Sequence, residues 1–187
     1  MKVAIIGLSE SCRGGMPKAG EGWQRWVMAW DCLLDADLAF EMHEPQQWSE
    51  HHVERYLDNW AVVQTPIMMH APVACCPTSV AYPFASVLQI CPDDFQCSIT
   101  YMIGLAIARG ASQVGIWGVA ADEGYLYQRP NIERFLGIMD GRGIPYWIHP
   151  NSKLQKPLEP GRYGTGTHRG DVGHAMSKSI YEMWGMG

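Results

Sequence analysis

The sequence predicts an α/β fold in which a mostly parallel sheet carries helices on both faces. Three observations predict it. A short β-branched run at residues 2–6 stops at Gly7. Strand-like and helix-like segments alternate from there to residue 152. In the last third of that stretch, a helix, a glycine and a strand follow one another twice.

The first strand is expected at residues 2–6, closed by Gly7. Residues 7–22 hold five glycines, two serines and a proline, the composition of a long loop. Residues 26–30 read as a second strand, and residues 35–42 lead into a third at 38–42. Residues 46–59 are polar and aromatic at helical spacing, with Trp48, Val53, Tyr56 and Leu57 able to share a face. A further strand falls either at residues 62–63 or at residues 66–69, closed by His70-Ala71-Pro72. A loop with Pro77 and Pro83 follows, then a short helix near residues 84–90. Residues 98–109 are apolar on nearly every face, as a buried helix is, and Gly110 stands where a C-terminal cap belongs. Residues 114–119 form a strand. Residues 131–142 form an amphipathic helix with Ile132, Phe135, Leu136 and Met139 on one face, ended by Gly141 and Gly143. Residues 145–149 are the last strand. These elements make one Rossmann-like domain over residues 1–152. Residues 153–187 form a glycine-rich extension whose one helical stretch is 175–184, suited to wrapping its own domain or a neighbouring subunit.

Composition narrows the function. Apolar residues make up 47% and charged residues 18%, which excludes a disordered chain. No apolar run approaches the ~20 residues of a membrane span. The apolar start is too short for a signal peptide, so a cytoplasmic protein is expected. A net charge of −5 argues against a duplex nucleic acid partner, although Arg129, Arg134 and Arg142 could form a local basic patch. The six cysteines show no paired C-x-x-C spacing and lie in apolar surroundings, so they read as reduced thiols and predict no metal site. Eight tryptophans lean towards self-association as a homo-oligomer. No cofactor is expected.

Ligands of a doubly wound sheet bind beyond the carboxyl ends of its strands. There the loop from Gly7 through Ser9 could turn backbone N–H groups and hydroxyls to a phosphate, although it is neither a G-x-G-x-x-G nor a Walker sequence. Glu41 and His43 flank Met42 and would share one face of a strand, where the carboxylate can orient the imidazole for proton transfer; a solvated strand end is the alternative. His51 and His52 lie on a polar stretch and read as solvent-facing. Ser98 suits an N-cap, and a helix N-terminus there could also receive a phosphate. The richest segment runs from Gly118 to Arg129. Within it Glu123 could take a proton, Tyr125 or Tyr127 could hydrogen-bond a leaving oxygen, and Arg129 could pair with phosphate. A helix-start loop with acids favouring the dipole is the alternative there.

The run Ser98-Ile99-Thr100-Tyr101-Met102, then Ala106-Ile107-Ala108-Arg109-Gly110 and Val114-Gly115-Ile116-Trp117-Gly118-Val119, resembles bacterial sialyltransferases that use CMP-sialic acid. Pro150-Asn151-Ser152, followed two residues on by Leu154, is similar to that family's final strand end, and Gly7 with Ser9 is a thinner version of its first loop. Tyr127-Gln128-Arg129-Pro130 also resembles a segment of short tailed-phage proteins that look like compact versions of the same fold. The resemblance covers about 60 residues well. It implies a Rossmann-like domain that takes a nucleotide or nucleotide sugar without a metal. It places Gly7, Ser9 and Ser98 near the nucleotide, with Gly118 and Ser152 at matching strand ends, and Tyr125 and Tyr127 near its phosphate. The chain departs from the family at Ala120, where an aspartate stands, and it has no histidine between His70 and His149, the stretch that carries the family's catalytic histidine. A base would then come from His43 or Glu123. Three functions follow: a small glycosyltransferase-like enzyme, a non-catalytic nucleotide binder that sequesters a signal, or a structural interaction protein.

Overall fold

The computed structural model describes residues 1–48 and 53–156, apart from the side chains of residues 53, 54, 123 and 124. A first compact unit runs Met1–Leu154. The helix expected at residues 175–184 and the paired histidines His51 and His52 lie outside the described residues.

Seven strands form one sheet: β1 (Lys2–Ile6), β2 (Trp23–Met28), β3 (Leu38–Phe40), β4 (Ile67–Met69), β5 (Ser79–Ala81), β6 (Gln113–Trp117) and β7 (Tyr146–Ile148). Their order is β5-β4-β3-β2-β1-β6-β7, and each of the six pairings is parallel. Strand order reverses between β1 and β6, the switch point at which doubly wound sheets open a crevice. Both neighbours of β1 are paired and both of its faces are covered, so Val3, Ala4, Ile5 and Ile6 are buried without alternation.

Among the described residues, four α-helices accompany the sheet: α1 (Leu57–Val62), α2 (Phe84–Val87), α3 (Ser98–Ala108) and α4 (Arg129–Gly141). On one face Val3, Ile5, Trp26, Phe40, Val114 and Ile116 pack with α3 and α4 through Met102, Ile103, Phe135 and Met139. Helix α3 touches β1, α2 and α4, which accounts for its apolar character all round. The alternate residues Ile6, Val27, Ala39, Ile67 and Met69 face the other way, onto Trp48 and Trp60. Helices therefore cover both faces, but unequally. Between β1 and β2, and again between β2 and β3, the chain makes only single 3-10 turns, at Glu10–Cys12 and Ala29–Asp31. Aromatic side chains take the place of a helix there. The edge of the Trp117 ring meets Gly115, where a Cβ would stand 2.2 Å from it, and the ring packs against Trp23 at 5.6 Å and Trp147 at 4.8 Å.

Several elements differ from expectation. Strand β2 begins three residues earlier than the expected 26–30, because register with β1 pairs Trp23 with Lys2. Of the two positions considered for the next strand, residues 67–69 are used, and Val63 instead ends α1. The helix expected over residues 46–59 is broken: Pro45–Gln47 and Val53–Tyr56 are 3-10 turns, and only Leu57–Val62 is α-helical. Strand β5 falls inside the expected proline loop. The N-cap of α3 is Cys97, not Ser98. The Thr100 hydroxyl accepts from the Cys97 N–H at 3.4 Å and donates to its carbonyl at 2.7 Å, which leaves Ser98 as the first helical residue.

Candidate functional site at the carboxyl edge of the sheet

Strands β1 and β6 end in two glycines whose backbones touch. The Gly7 N–H donates to the Trp117 carbonyl at 2.8 Å, and the Ser9 N–H donates to the Gly118 carbonyl at 2.8 Å. A Cβ on Gly7 would lie 2.4 Å from the Gly118 oxygen, so no side chain fits. The loops beyond are tied together. Gly118 N–H donates to Cys12 O at 2.7 Å, Asn151 Nδ2 to Ser11 O at 2.8 Å, and Lys153 N–H to Ala120 O at 2.8 Å. Arg13 lays Nε and Nη2 on the Gly7 carbonyl at 2.8 and 2.7 Å and forms an ion pair with Asp31. The Gly7 and Ser9 N–H groups, expected to face a phosphate, are thus spent inside the protein. This loop presents outward the hydroxyls of Ser9 and Ser11, 3.0 Å apart, and between them the exposed Glu10 carboxylate, which pairs with Arg13 at 3.3 Å. After β6, Ala121 is buried at φ 50°, a left-handed conformation that a non-glycine residue adopts at a cost of about 1–2 kcal/mol. The loop is held in this shape by its neighbours, the Lys153 N–H donating to the Ala120 carbonyl among them.

A second group stands at the ends of β3 and β4. Glu41 is 2% exposed, and its Oε1 accepts from the His43 N–H at 2.9 Å and faces His43 Nδ1 at 2.5 Å. That contact places a ring hydrogen on Nδ1. The Trp48 Nε1–H donates to the His43 carbonyl at 3.1 Å, and His70 Nε2 lies 2.9 Å from the Met42 carbonyl. Sequence reasoning put His70 at a strand end on the ligand side of the sheet but gave it no role. Its signal was present, since it directly follows β4 as Glu41 directly follows β3, but nothing in the sequence linked its ring to the Glu41–His43 segment.

The remaining expected residues are placed as follows. Ser98, at the start of α3, is buried. Ser152 is 1% exposed, and its Oγ accepts from the Leu154 N–H at 3.2 Å. Glu123 opens the 3-10 segment Glu123–Gln128. Tyr125 and Tyr127 on that segment are exposed, and the Tyr127 hydroxyl accepts from Gln128 Nε2 at 2.9 Å. Arg129 opens α4 with Nε on Glu133 at 2.7 Å, one helical turn away. The structure therefore brings Gly7, Ser9 and Gly118 together, and separately Glu41 and His43, while the two phenols point to solvent. Among the described residues, no group of three His, Cys, Asp or Glu side chains could hold a metal, and no helix is long and apolar enough to cross a membrane.

Burial pushes the thiols of Cys32, Cys91 and Cys97, and the phenols of Tyr82 and Tyr101, above their ordinary values of 9.0 and 10.0. In the unfolded chain these groups ionise at the ordinary values, while the folded state still holds their protons. Stability should therefore be insensitive to these groups below about pH 8 and fall as pH rises past 9. Urea unfolding at pH 7 and pH 10 checks this; equal stability at both would contradict the burial of these groups.

No family model and no curated protein sequence matches the chain. Solved structures do. The sialyltransferase CstII from Campylobacter jejuni in complex with cytidine-5'-monophosphate is similar at a TM-score of 0.53 and 16% identity, over 82% of this chain and 81% of that one. Its complex with CMP-3FNeuAc gives 0.52 and 18%, over 82% of each chain. The apo α-2,3-sialyltransferase from the same organism gives 0.51 and 10%, over 84% of this chain and 76% of that one. At these identities the likeness is one of backbone, and the chain has the Rossmann-like α/β fold that these sialyltransferases share.

Proposed function

We propose that the chain binds a nucleotide or nucleotide sugar along the carboxyl edge of its sheet, and that it acts as a glycosyltransferase-like enzyme with His43 as its base. The observation that carries the catalytic half is the Glu41–His43 pair. A carboxylate 2% exposed, with one oxygen on both the N–H and Nδ1 of a single histidine, has the arrangement of an orienting group for a general base. In transfer, His43 Nε2 takes the proton of an acceptor hydroxyl as its oxygen bonds to the anomeric carbon. The phosphate leaves with the electron pair of the broken C–O bond. The Ser9 and Ser11 hydroxyls and the N-terminal end of α3 are the groups suited to that departing charge. The CMP complexes of the similar structures support the nucleotide half of this reading.

A thermal-shift screen of nucleoside monophosphates, diphosphates and their sugar conjugates tests binding. A ligand at 100 times its Kd adds about 2.7 kcal/mol, a rise of about 5–10 °C for a domain of this size. A screen that moves nothing overturns the reading. With a ligand found, His43→Ala should lower turnover by about 10²–10⁴-fold while leaving nucleotide affinity intact. The exposure of Tyr125 and Tyr127, and the pairing of Arg129 with Glu133, favour a second reading, a non-catalytic nucleotide binder. A nucleotide sugar recovered intact after prolonged incubation with the protein would select it.

A further inference from the structure

His70 is held more firmly than a strand-end histidine requires. Its ring stacks on Phe84 (centroids 5.4 Å apart, planes at 21°), and the Tyr101 ring meets it edge-on at 5.7 Å. Tyr82 locks both partners. It packs against Phe84 at 4.9 Å and Tyr101 at 5.2 Å, and its hydroxyl donates to the Tyr101 carbonyl at 2.9 Å. The partner of His70 Nε2 is the Met42 carbonyl oxygen at 2.9 Å, an atom that can only accept. Nε2 therefore carries the ring hydrogen, and in the neutral ring Nδ1 is an acceptor. The residue is half-buried, so the ring is pinned on one side and reachable on the other.

We propose that His70 reads a hydroxyl group on the sugar portion of the ligand, with Nδ1 accepting the hydroxyl hydrogen. The inference rests on the nucleotide-sugar reading and gives the ligand a direction. The nucleotide lies over β1 and β6, and the sugar reaches β3 and β4. In the order β4-β3-β2-β1, three strand spacings separate β4 from β1, roughly 14 Å at ~4.8 Å each. His70 thus stands away from the glycine junction and directly beside the Glu41–His43 pair, to which the Met42 carbonyl connects it. A fixed acceptor suits a hydroxyl, which donates, and disfavours a carboxylate or phosphate oxygen, which cannot.

Two near-isosteric substitutions separate reading from positioning. His70→Gln puts an amide nitrogen close to the place of Nε2, which keeps the bond to Met42 and removes the Nδ1 acceptor. His70→Asn does the reverse. The full chain is titrated calorimetrically with CMP, UDP and GDP, and with CMP-sialic acid, UDP-glucose and GDP-mannose. The wild type should bind one conjugate more tightly than its parent nucleotide. His70→Gln should lose at least tenfold of that preference with the parent nucleotide's affinity unchanged, and His70→Asn should keep more of it than His70→Gln. A preference intact in His70→Gln, the reverse order of the two variants, or an equal loss of nucleotide and conjugate binding would overturn the role of His70 and leave the nucleotide reading standing. Absence of any binding by the wild type overturns both.

Discussion

Gly118→Ala is expected to destabilise the protein by about 3–5 kcal/mol. The residue sits at φ 66°, where an alanine costs about 1–2 kcal/mol. Its Cβ would stand 2.1 Å from the Gly7 carbonyl oxygen and 2.6 Å from the carbonyl carbon, so backbone must move, and no side chain can swing aside. Parting the strands strains two hydrogen bonds, Gly7 N–H to Trp117 O and Ser9 N–H to Gly118 O, each worth about 1 kcal/mol. Gly15→Ala is the matched control. Gly15 has nearly the same φ, 67°, but nothing lies within 4 Å of its Cβ, so only the conformational cost of about 1–2 kcal/mol applies. Urea unfolding of the two variants compares them directly. Equal losses would mean that the β1 and β6 ends do not touch.

Trp60→Ala is expected to cost about 3–5 kcal/mol, for a reason particular to its face of the sheet. Among the described residues that face has one short helix, α1, and Trp60 is the buried residue by which α1 packs onto it, against Trp48 at 5.5 Å. Trp60 is fully buried, and its Nε1–H donates to the Ala29 carbonyl at 3.0 Å. Trp60→Phe keeps most of the area but removes one of the two hydrogen bonds to that carbonyl, which also accepts from the Cys32 N–H at 3.3 Å, a further cost of about 1 kcal/mol. Trp26 is the useful contrast. It is equally buried, but its Nε1–H has no partner, so Trp26→Phe removes an unsatisfied donor and should cost less than Trp60→Phe. The same denaturation series decides it, and the opposite order would contradict these two environments.

The elements legible in the sequence are those whose pattern comes from their own burial. Residues 2–6, α3, β6 and α4 are long or uniformly apolar enough to declare themselves. Those missed depend on partners far along the chain. Ser79, Val80 and Ala81 form a strand at the sheet edge with little burial, and they are strand because β4 offers hydrogen bonds. Residues 46–59 have helical spacing, but Pro45 opens a separate 3-10 turn with Glu44 and Gln47 capping each other, and the pattern breaks into pieces. At the site, the nearness of Glu41 and His43 was readable because they are two residues apart, although β3 ends at Phe40 and the pair meets in the chain beyond it, not by strand alternation. The part of His70 was not readable, since it arises from β3 and β4 lying side by side. Tyr125, Tyr127 and Arg129 stand differently. Their density along the chain suggested convergence, but a 3-10 turn leaves the phenols exposed and the following helix pairs Arg129 with Glu133.

The aromatic cover over β6 has an optical consequence. Trp117 is joined to Gly118 by one peptide bond, its carbonyl receives the Gly7 N–H, and its indole touches those of Trp23 and Trp147. A shift of a few tenths of an ångström at the glycine junction is thus passed directly to three coupled indoles. Intrinsic emission, excited near the red edge of indole absorption, should follow occupancy of the crevice in real time. A nucleotide that binds at the switch point, as proposed above, is expected to change that emission without an added dye.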